Sequence, residues 1–190
     1  MLILGSGSAR RKELLESASI DFLLMPSDYD ESQVAFEGDT LKYVETIAEN
    51  KANALLDKYP LDVILTADTV VEVDGEILGK PKDIEDAQKM LQLLNDKTHH
   101  VYTGVCIVSK DKKEVFVESA SVTFNKLSTL DIESYIQTKE PMDKAGAYAI
   151  QGIGAKLIKH YDGDFHTIMG LPLKLVLERL KDFNIVPKLK

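Results

Sequence analysis

Apolar and polar residues change their spacing several times along this chain, and each change predicts an element. Met1-Leu2-Ile3-Leu4 is an unbroken apolar run that reads as a buried strand. From Ala9 the spacing becomes helical: residues 9–18 form a predicted helix with Leu14, Leu15 and Ala18 on its apolar face and Ser8 as N-cap. Residues 21–26 read as a second strand, and the polar, acidic stretch 27–38 lacks period and reads as a loop. A long helix follows over about 39–57, with Leu41, Val44, Ile47, Ala48, Ala52 and Leu55 near one face.

Residues 62–66 form an apolar strand that delivers Ala67-Asp68-Thr69. Segments 70–73 and 76–78 flank Asp74-Gly75, which is hairpin-turn chemistry. Gly79-Lys80-Pro81 interrupts the pattern, and a helix over 83–95 points Ala87, Met90, Leu91 and Leu94 inward. Residues 99–109 and 113–124 alternate as two long strands joined by Lys110-Asp111-Lys112. A short helix near 130–138, a small-residue-rich region over 144–155, a strand over 156–161 and a last helix from about 172 to 183 complete the pattern. Strands and helices alternate in the first half, with an antiparallel ribbon in the middle. That predicts an α/β or α+β fold on a mixed sheet flanked by helices, with the site in a cleft at strand ends.

The whole chain is 190 residues, 44% hydrophobic, which predicts one domain over 1–190 with a real core. Its net charge of -8 excludes a general binder of nucleic acid or of a membrane surface. Cys106 is the single cysteine, so no internal disulfide forms, and its apolar surroundings read as a buried small hydrophobe. No apolar stretch approaches a membrane span, and the start lacks the pattern of a signal peptide, so the expected location is the cytoplasm.

Against this acidic background, Gly5-Ser6-Gly7-Ser8-Ala9-Arg10-Arg11 stands out. A strand-to-helix turn offers backbone N–H groups and the positive end of a helix dipole. Ser6 and Ser8 add hydroxyls, and Arg10 and Arg11 add forks suited to phosphate oxygens. The turn reads as a phosphate site, or as a helix cap with two solvated arginines. Asp68, after its apolar strand, is the strongest catalytic candidate, able to hold Mg²⁺ or orient a water; satisfying a turn is the other reading. Lys80 beside Pro81 is a compact charge for a phosphate or a solvated turn residue. Lys51 sits on the inner side of the long helix or snorkels outward. Asp30 and Glu31 lie in the acidic loop, where one of them can reach a metal. Gln151 is the one amide in the region 144–155 and can read a base edge through its paired donor and acceptor. No G-x-x-x-x-G-K-[ST] is present, which excludes a P-loop. His99 and His100, adjacent on a strand, point to opposite faces and do not share a metal.

Several blocks occur together in fixed order: Ser6-Gly7-Ser8-Ala9-Arg10-Arg11, Ala67-Asp68-Thr69-Val70-Val71, Gly79-Lys80-Pro81, His100-Val101-Tyr102-Thr103-Gly104-Val105, Glu140-Pro141-Met142-Asp143-Lys144-Ala145-Gly146-Ala147-Tyr148, Ile150-Gln151-Gly152 and Gly170-Leu171-Pro172-Leu173. Over nearly its whole length the chain resembles the Maf family of nucleoside triphosphate pyrophosphatases. That resemblance implies an elongated mixed sheet in two lobes with a central cleft, similar to inosine triphosphate pyrophosphatases. It implies hydrolysis of a nucleoside triphosphate to the monophosphate and pyrophosphate with a divalent cation, Mg²⁺ or Mn²⁺. Asp68 maps to the general base. Arg10, Thr69 and Gln151 map to the specificity positions of the branch acting on dTTP and UTP. Arg11, Lys51 and Lys80 match phosphate-contacting positions, and Glu31 matches an acidic position near the metal. The resemblance implies a homodimer and a house-cleaning role. A nucleotide-binding regulator that inhibits septum formation through a cell-division partner is the alternative. Gly5 and Ala9 depart from the family's usual Ala and Pro, and neither departure removes a candidate catalytic group.

Overall fold

The structure, a computed structural model, describes residues 1–189. Its elements are β1 (Leu2–Leu4), α1 (Ala9–Ser17), β2 (Leu23–Leu24), α2 (Thr40–Lys58), β3 (Val63–Val73), β4 (Glu76–Leu78), α3 (Ile84–Leu94), β5 (Thr98–Val108), β6 (Lys113–Phe124), α4 (Thr129–Gln137), β7 (Ile158–Asp162), α5 (Phe165–Met169) and α6 (Leu173–Leu180). The strands form a mixed seven-stranded sheet in the order β2-β1-β3-β5-β6-β7, with β4 paired to β3. β1 runs parallel to β2 and β3, whereas β4 and β7 are antiparallel to β3 and β6. The mixed α/β architecture predicted from the hydrophobic pattern is the one observed.

The chain divides into two compact units. The first holds Met1–Asp68, Thr103–Glu118 and the chain from Gly170 onward; the second holds Thr69–Tyr102 and Ser119–Met169. In the first unit α2 lies on the sheet through Ala48, Ala52 and Leu55, which meet Ile3, Ile64, Cys106 and Val108. Small residues let the helix come close. Thr66 Oγ1 donates to the Ala48 carbonyl, a hydrogen bond from strand to helix backbone. Gly104 is required at this approach, since a Cβ there would lie 2.6 Å from the Val44 carbonyl oxygen and 3.0 Å from the Glu45 nitrogen. In the second unit α3 buries Ala87, Met90, Leu91 and Leu94 as predicted, and α4 buries Ile132, Tyr135 and Ile136.

Several boundaries differ from the expectation. The strand over 21–26 shrinks to Leu23–Leu24, both exposed, because its neighbour β1 offers only Ile3 and Leu4 as partners. The segments 62–66 and 70–73 are one strand, so Ala67, Asp68 and Thr69 lie inside β3 rather than at its end. β-Branched Val63, Ile64, Thr66, Thr69, Val70, Val71 and Val73 carry the extended conformation through the acidic residue. Leu41 is 50% exposed in the first turn of α2, whereas Val44, Ile47, Ala48, Ala52 and Leu55 of the same predicted face are buried. The helix α5 was not predicted; Asp164 Oδ2 accepts from the Thr167 N–H and hydroxyl and stabilises its first turn. The region 144–155 contains the 3₁₀ turns Ala145–Ala147 and Gly152–Leu157. The Asp74-Gly75 hairpin forms as read, with φ of 51° and 80° at its two central residues.

Gly104→Ala is expected to lower the unfolding free energy by about 1–3 kcal/mol, because its methyl group meets helix backbone that has nowhere to yield. Urea unfolding reads this as a lower midpoint with unchanged slope. A midpoint equal to that of the parent protein would show that α2 does not depend on this contact.

Candidate active site

The turn from β1 into α1 is built by its own hydroxyls. Gly5 N–H donates to the Leu65 carbonyl at 2.8 Å, the last link of β1 to β3 before the chain leaves the sheet. Ser8 caps α1, its Oγ accepting from the Arg11 N–H at 3.5 Å. Ser6 Oγ accepts from the Ser8 N–H and from Arg11 Nη1, both at 3.1 Å. Arg11 Nε donates to the Gly170 carbonyl at 2.7 Å, so this buried guanidinium ties the turn to the C-terminal segment. Burial lowers its pKa to about 10, which leaves it cationic at neutral pH. Capping and anion binding are compatible here, because a serine that accepts through oxygen keeps its O–H to donate. Arg10 is the adjoining, half-buried residue in the first turn of α1.

Asp68 lies on the same side of β3 as Thr66, the side covered by α2. β1 pairs with Val63, Ile64 and Leu65 of β3 only, and β4 pairs with β3 from Val71 onward. Asp68 therefore sits past the end of a neighbouring strand, which gives it the strand-end setting that its own long strand does not. The residue is 8% exposed. Its cation is Lys51 of α2, whose Nζ stands 3.7 Å from Asp68 Oδ1, 2.6 Å from Glu31 Oε1 and 3.3 Å from the Ala67 carbonyl. Glu31 opens the short 3₁₀ turn Glu31–Gln33, capped by Asp30, which accepts from the Ser32 N–H. Thus Asp30 shapes the loop and Glu31 reaches the lysine.

Asp68 Oδ2 is buried without a hydrogen-bond partner among the described residues. Burial pushes the carboxyl pKa up to about 6; Lys51 opposes the rise, Glu31 adds to it and Arg11 opposes it. Tyr43, two turns before Lys51 on α2, feels the same pair: burial, then Asp68 and Glu31, raise its phenol pKa. Sequence reasoning missed Tyr43; the only signal was the four-residue spacing 43, 47, 51 along one side of the helix.

The second unit holds the remaining predicted residues. Thr69 is half-buried in β3, on the strand face opposite Asp68. Lys80 is exposed in the loop after β4, and the preceding Gly79 carbonyl accepts from the Gly146 N–H at 3.1 Å. Gln151 is half-buried just before the turn Gly152–Leu157. His99 is fully buried, its Nε2 2.6 Å from Tyr148 Oη, and burial lowers its pKa to about 4. It is a neutral core histidine, whereas His100 is exposed, as strand alternation requires.

Residues 1–183 match the family described as Maf-like protein. The chain belongs to the Maf-like protein family. A relative from Acholeplasma laidlawii (strain PG-8A) named dTTP/UTP pyrophosphatase is 97% identical over 190 residues, the whole of both chains. One of the same name from Bacillus cytotoxicus is 46% identical, covering 96% of this chain and 95% of its own. Among solved structures, a nucleoside-triphosphatase / dITP/XTP pyrophosphatase from Mycobacterium abscessus aligns with a TM-score of 0.46 at 15% identity, over 96% of each chain.

Within this Maf-like chain, the first unit gathers Ser6, Ser8 and Arg11 in one hydrogen-bonded turn and Glu31, Lys51 and Asp68 in one charged cluster. Arg11 and Asp68 also act on one another electrostatically. Among the described residues no three His, Cys, Asp or Glu side chains form a ready metal cage. Glu31 with Asp68, two carboxylates brought together around Lys51, nevertheless suits a hard cation that completes its shell with water and phosphate oxygens.

Burying Asp68 has a pH signature. Well below 3.8, its ordinary value in the unfolded chain, the carboxyl is neutral in both states, since the folded pKa is about 6. As pH rises through 6 the folded state ionises a buried group that the unfolded chain ionises more easily, and stability is lost. Asp68→Asn is therefore expected to be more stable than the parent at pH 8, by up to about 3 kcal/mol, with the gap closing near pH 4. Urea unfolding at both pH values measures it, and an equal gap at both would contradict a raised Asp68.

Proposed function

We propose that this protein hydrolyses dTTP and UTP to the nucleoside monophosphate and pyrophosphate, with a divalent cation, and so removes nucleotides from the cytoplasm before polymerases use them. The observation that carries this reading is Asp68: a buried carboxylate with an unpartnered oxygen, a pKa raised to about 6, and arginine and lysine close by. A group of that pKa is ionised at neutral pH yet basic enough to take a proton from water. The names of the relatives and the family blocks of the sequence support the substrate class.

In this mechanism Asp68 Oδ2 accepts a proton from a water whose oxygen bonds to the α-phosphorus. The bond from that phosphorus to the bridging α–β oxygen breaks, and the electron pair leaves with pyrophosphate. A triphosphate carries about four negative charges, which Arg10, Arg11 and Lys51 offset while the hydroxyls of Ser6 and Ser8 donate to phosphate oxygens. Glu31 and Asp68 would hold the divalent cation, which supplies charge neutralisation and polarises phosphate oxygens when bound. By the family positions that they match, Lys80 would contact the phosphates and steady the departing pyrophosphate, and Thr69 and Gln151 would read the base. An amide that both donates and accepts complements the adjacent carbonyl and N–H of uracil or thymine.

Pyrophosphate release from dTTP, UTP, CTP, GTP, ATP and 7-methyl-GTP, with Mg²⁺ or Mn²⁺, tests the proposal. Fast release is expected from dTTP and UTP, falling by roughly 10²-fold or more in Asp68→Asn while nucleotide binding persists. No release from any nucleotide by folded, nucleotide-binding protein would turn the reading toward a regulator of septum formation. The pH profile of kcat/KM is expected to fall on the acid side of about 6, as Asp68 protonates and loses its capacity as base. A profile flat down to pH 4.5 would remove Asp68 from that role.

A further inference from the structure

We propose that Glu140 and Tyr135 are positioning residues that set base preference by clamping the segment that carries Gln151. The inference rests on the reading of Gln151 as a base-reading residue. Between Ala149 and Gly154 the backbone makes no sheet ladder, so its placement depends on other partners. Glu140 Oε1 accepts from the Gly154 N–H at 2.8 Å, and Oε2 accepts from the Ile153 N–H at 3.2 Å. Tyr135 Oη accepts from the Ala149 N–H at 3.0 Å and donates to Glu140 Oε1 at 2.8 Å. One carboxylate and one phenol thus hold the segment on both sides of Gln151.

The clamp is itself anchored and tightly fitted. Tyr135 is 4% exposed on α4, and burial raises its pKa, so it keeps the proton that it donates. Glu140 is held through its backbone: its carbonyl accepts from Lys144 Nζ at 2.8 Å, and its N–H donates to Thr138 Oγ1 at 3.2 Å. The glycines on the far side of Gln151 fit no larger residue. Gly152 has a φ of 71°, and a Cβ on Gly154 would stand 2.6 Å from Tyr135 Oη. Hydrogen bonds to a carboxylate are stronger than neutral ones, and three donors meet on this group. A polar side chain discriminates between bases only where its backbone is held to within a fraction of an ångström. Here that precision comes from Glu140 and Tyr135.

The test compares kcat and KM for UTP and CTP in the parent, Glu140→Gln, Tyr135→Phe, Gln151→Ala and the double variant Glu140→Gln/Gln151→Ala. Circular dichroism and thermal midpoints identify the folded variants. Glu140→Gln keeps the volume but turns an NH₂ toward N–H or O–H donors; Tyr135→Phe removes the phenol and serves if the first variant fails to fold. Each is expected to reduce the preference for UTP over CTP about tenfold, chiefly through a higher KM for UTP. The double variant is expected to lose no more preference than Gln151→Ala alone, because both act through one side chain. Preference unchanged in the two clamp variants while Gln151→Ala loses it would overturn the proposal, as would an equal loss on both nucleotides. Preference unchanged in Gln151→Ala itself would instead remove the base-reading role of that residue, and the proposal with it.

Discussion

A carboxylate taken out of water is unstable unless a cation meets it, and Lys51 is the cation that meets Asp68. That contact requires α2 to lie close on the sheet. Ala48 and Ala52 bring no bulk to the contact, Gly104 leaves room for the helix backbone, and Thr66 bonds to the helix directly. The same lysine reaches the half-exposed Glu31 on the loop ahead of α2, so one ammonium draws a loop carboxylate toward a strand carboxylate. The placement of the candidate base is thus a consequence of helix-on-sheet packing.

The short length of β1 matters equally. Because β1 ends at Leu4, β3 continues past it and carries the buried Asp68 beyond the reach of β1, and the chain leaving β1 becomes the turn that caps α1. Arg11 ties that turn to Gly170 and faces Asp68 electrostatically. Burial acts in opposite directions on the two groups, lowering the arginine and raising the aspartate. The arginine stays charged across ordinary pH. The aspartate titrates near the range in which a base works best, and that asymmetry is what the chemistry needs.

Much of this could be read from the chain. The stripe of α3, that of α2 apart from Leu41, the Asp74-Gly75 turn and the Ser8 cap follow from local spacing and turn chemistry, and formed as expected. The family blocks contain Ser6, Ser8, Arg11 and Asp68 of the first unit and Thr69, Lys80 and Gln151 of the second, whereas Glu31 and Lys51 lie outside those blocks. Other features depended on partners that periodicity does not show. Asp68 interrupts no strand, because β-branched neighbours outweigh one acidic residue. β2 is short because β1 is short. Tyr43 earned no notice, since its electrostatic neighbours lie 12 and 25 residues away along the chain. The grip of Glu140 and Tyr135 on the segment around Gln151 spans contacts up to 14 residues apart within irregular backbone, which carries no repeating pattern to read.

The most direct measurement is a carboxyl ¹³C titration of Asp68 in the free protein, assigned by comparison with Asp68→Asn. The account predicts an apparent pKa near about 6, displaced upward by burial. A value at or below the ordinary 3.8 would mean that Lys51 and Arg11 outweigh burial, and Asp68 would then be a structural ion-pair partner rather than a base poised to take a proton.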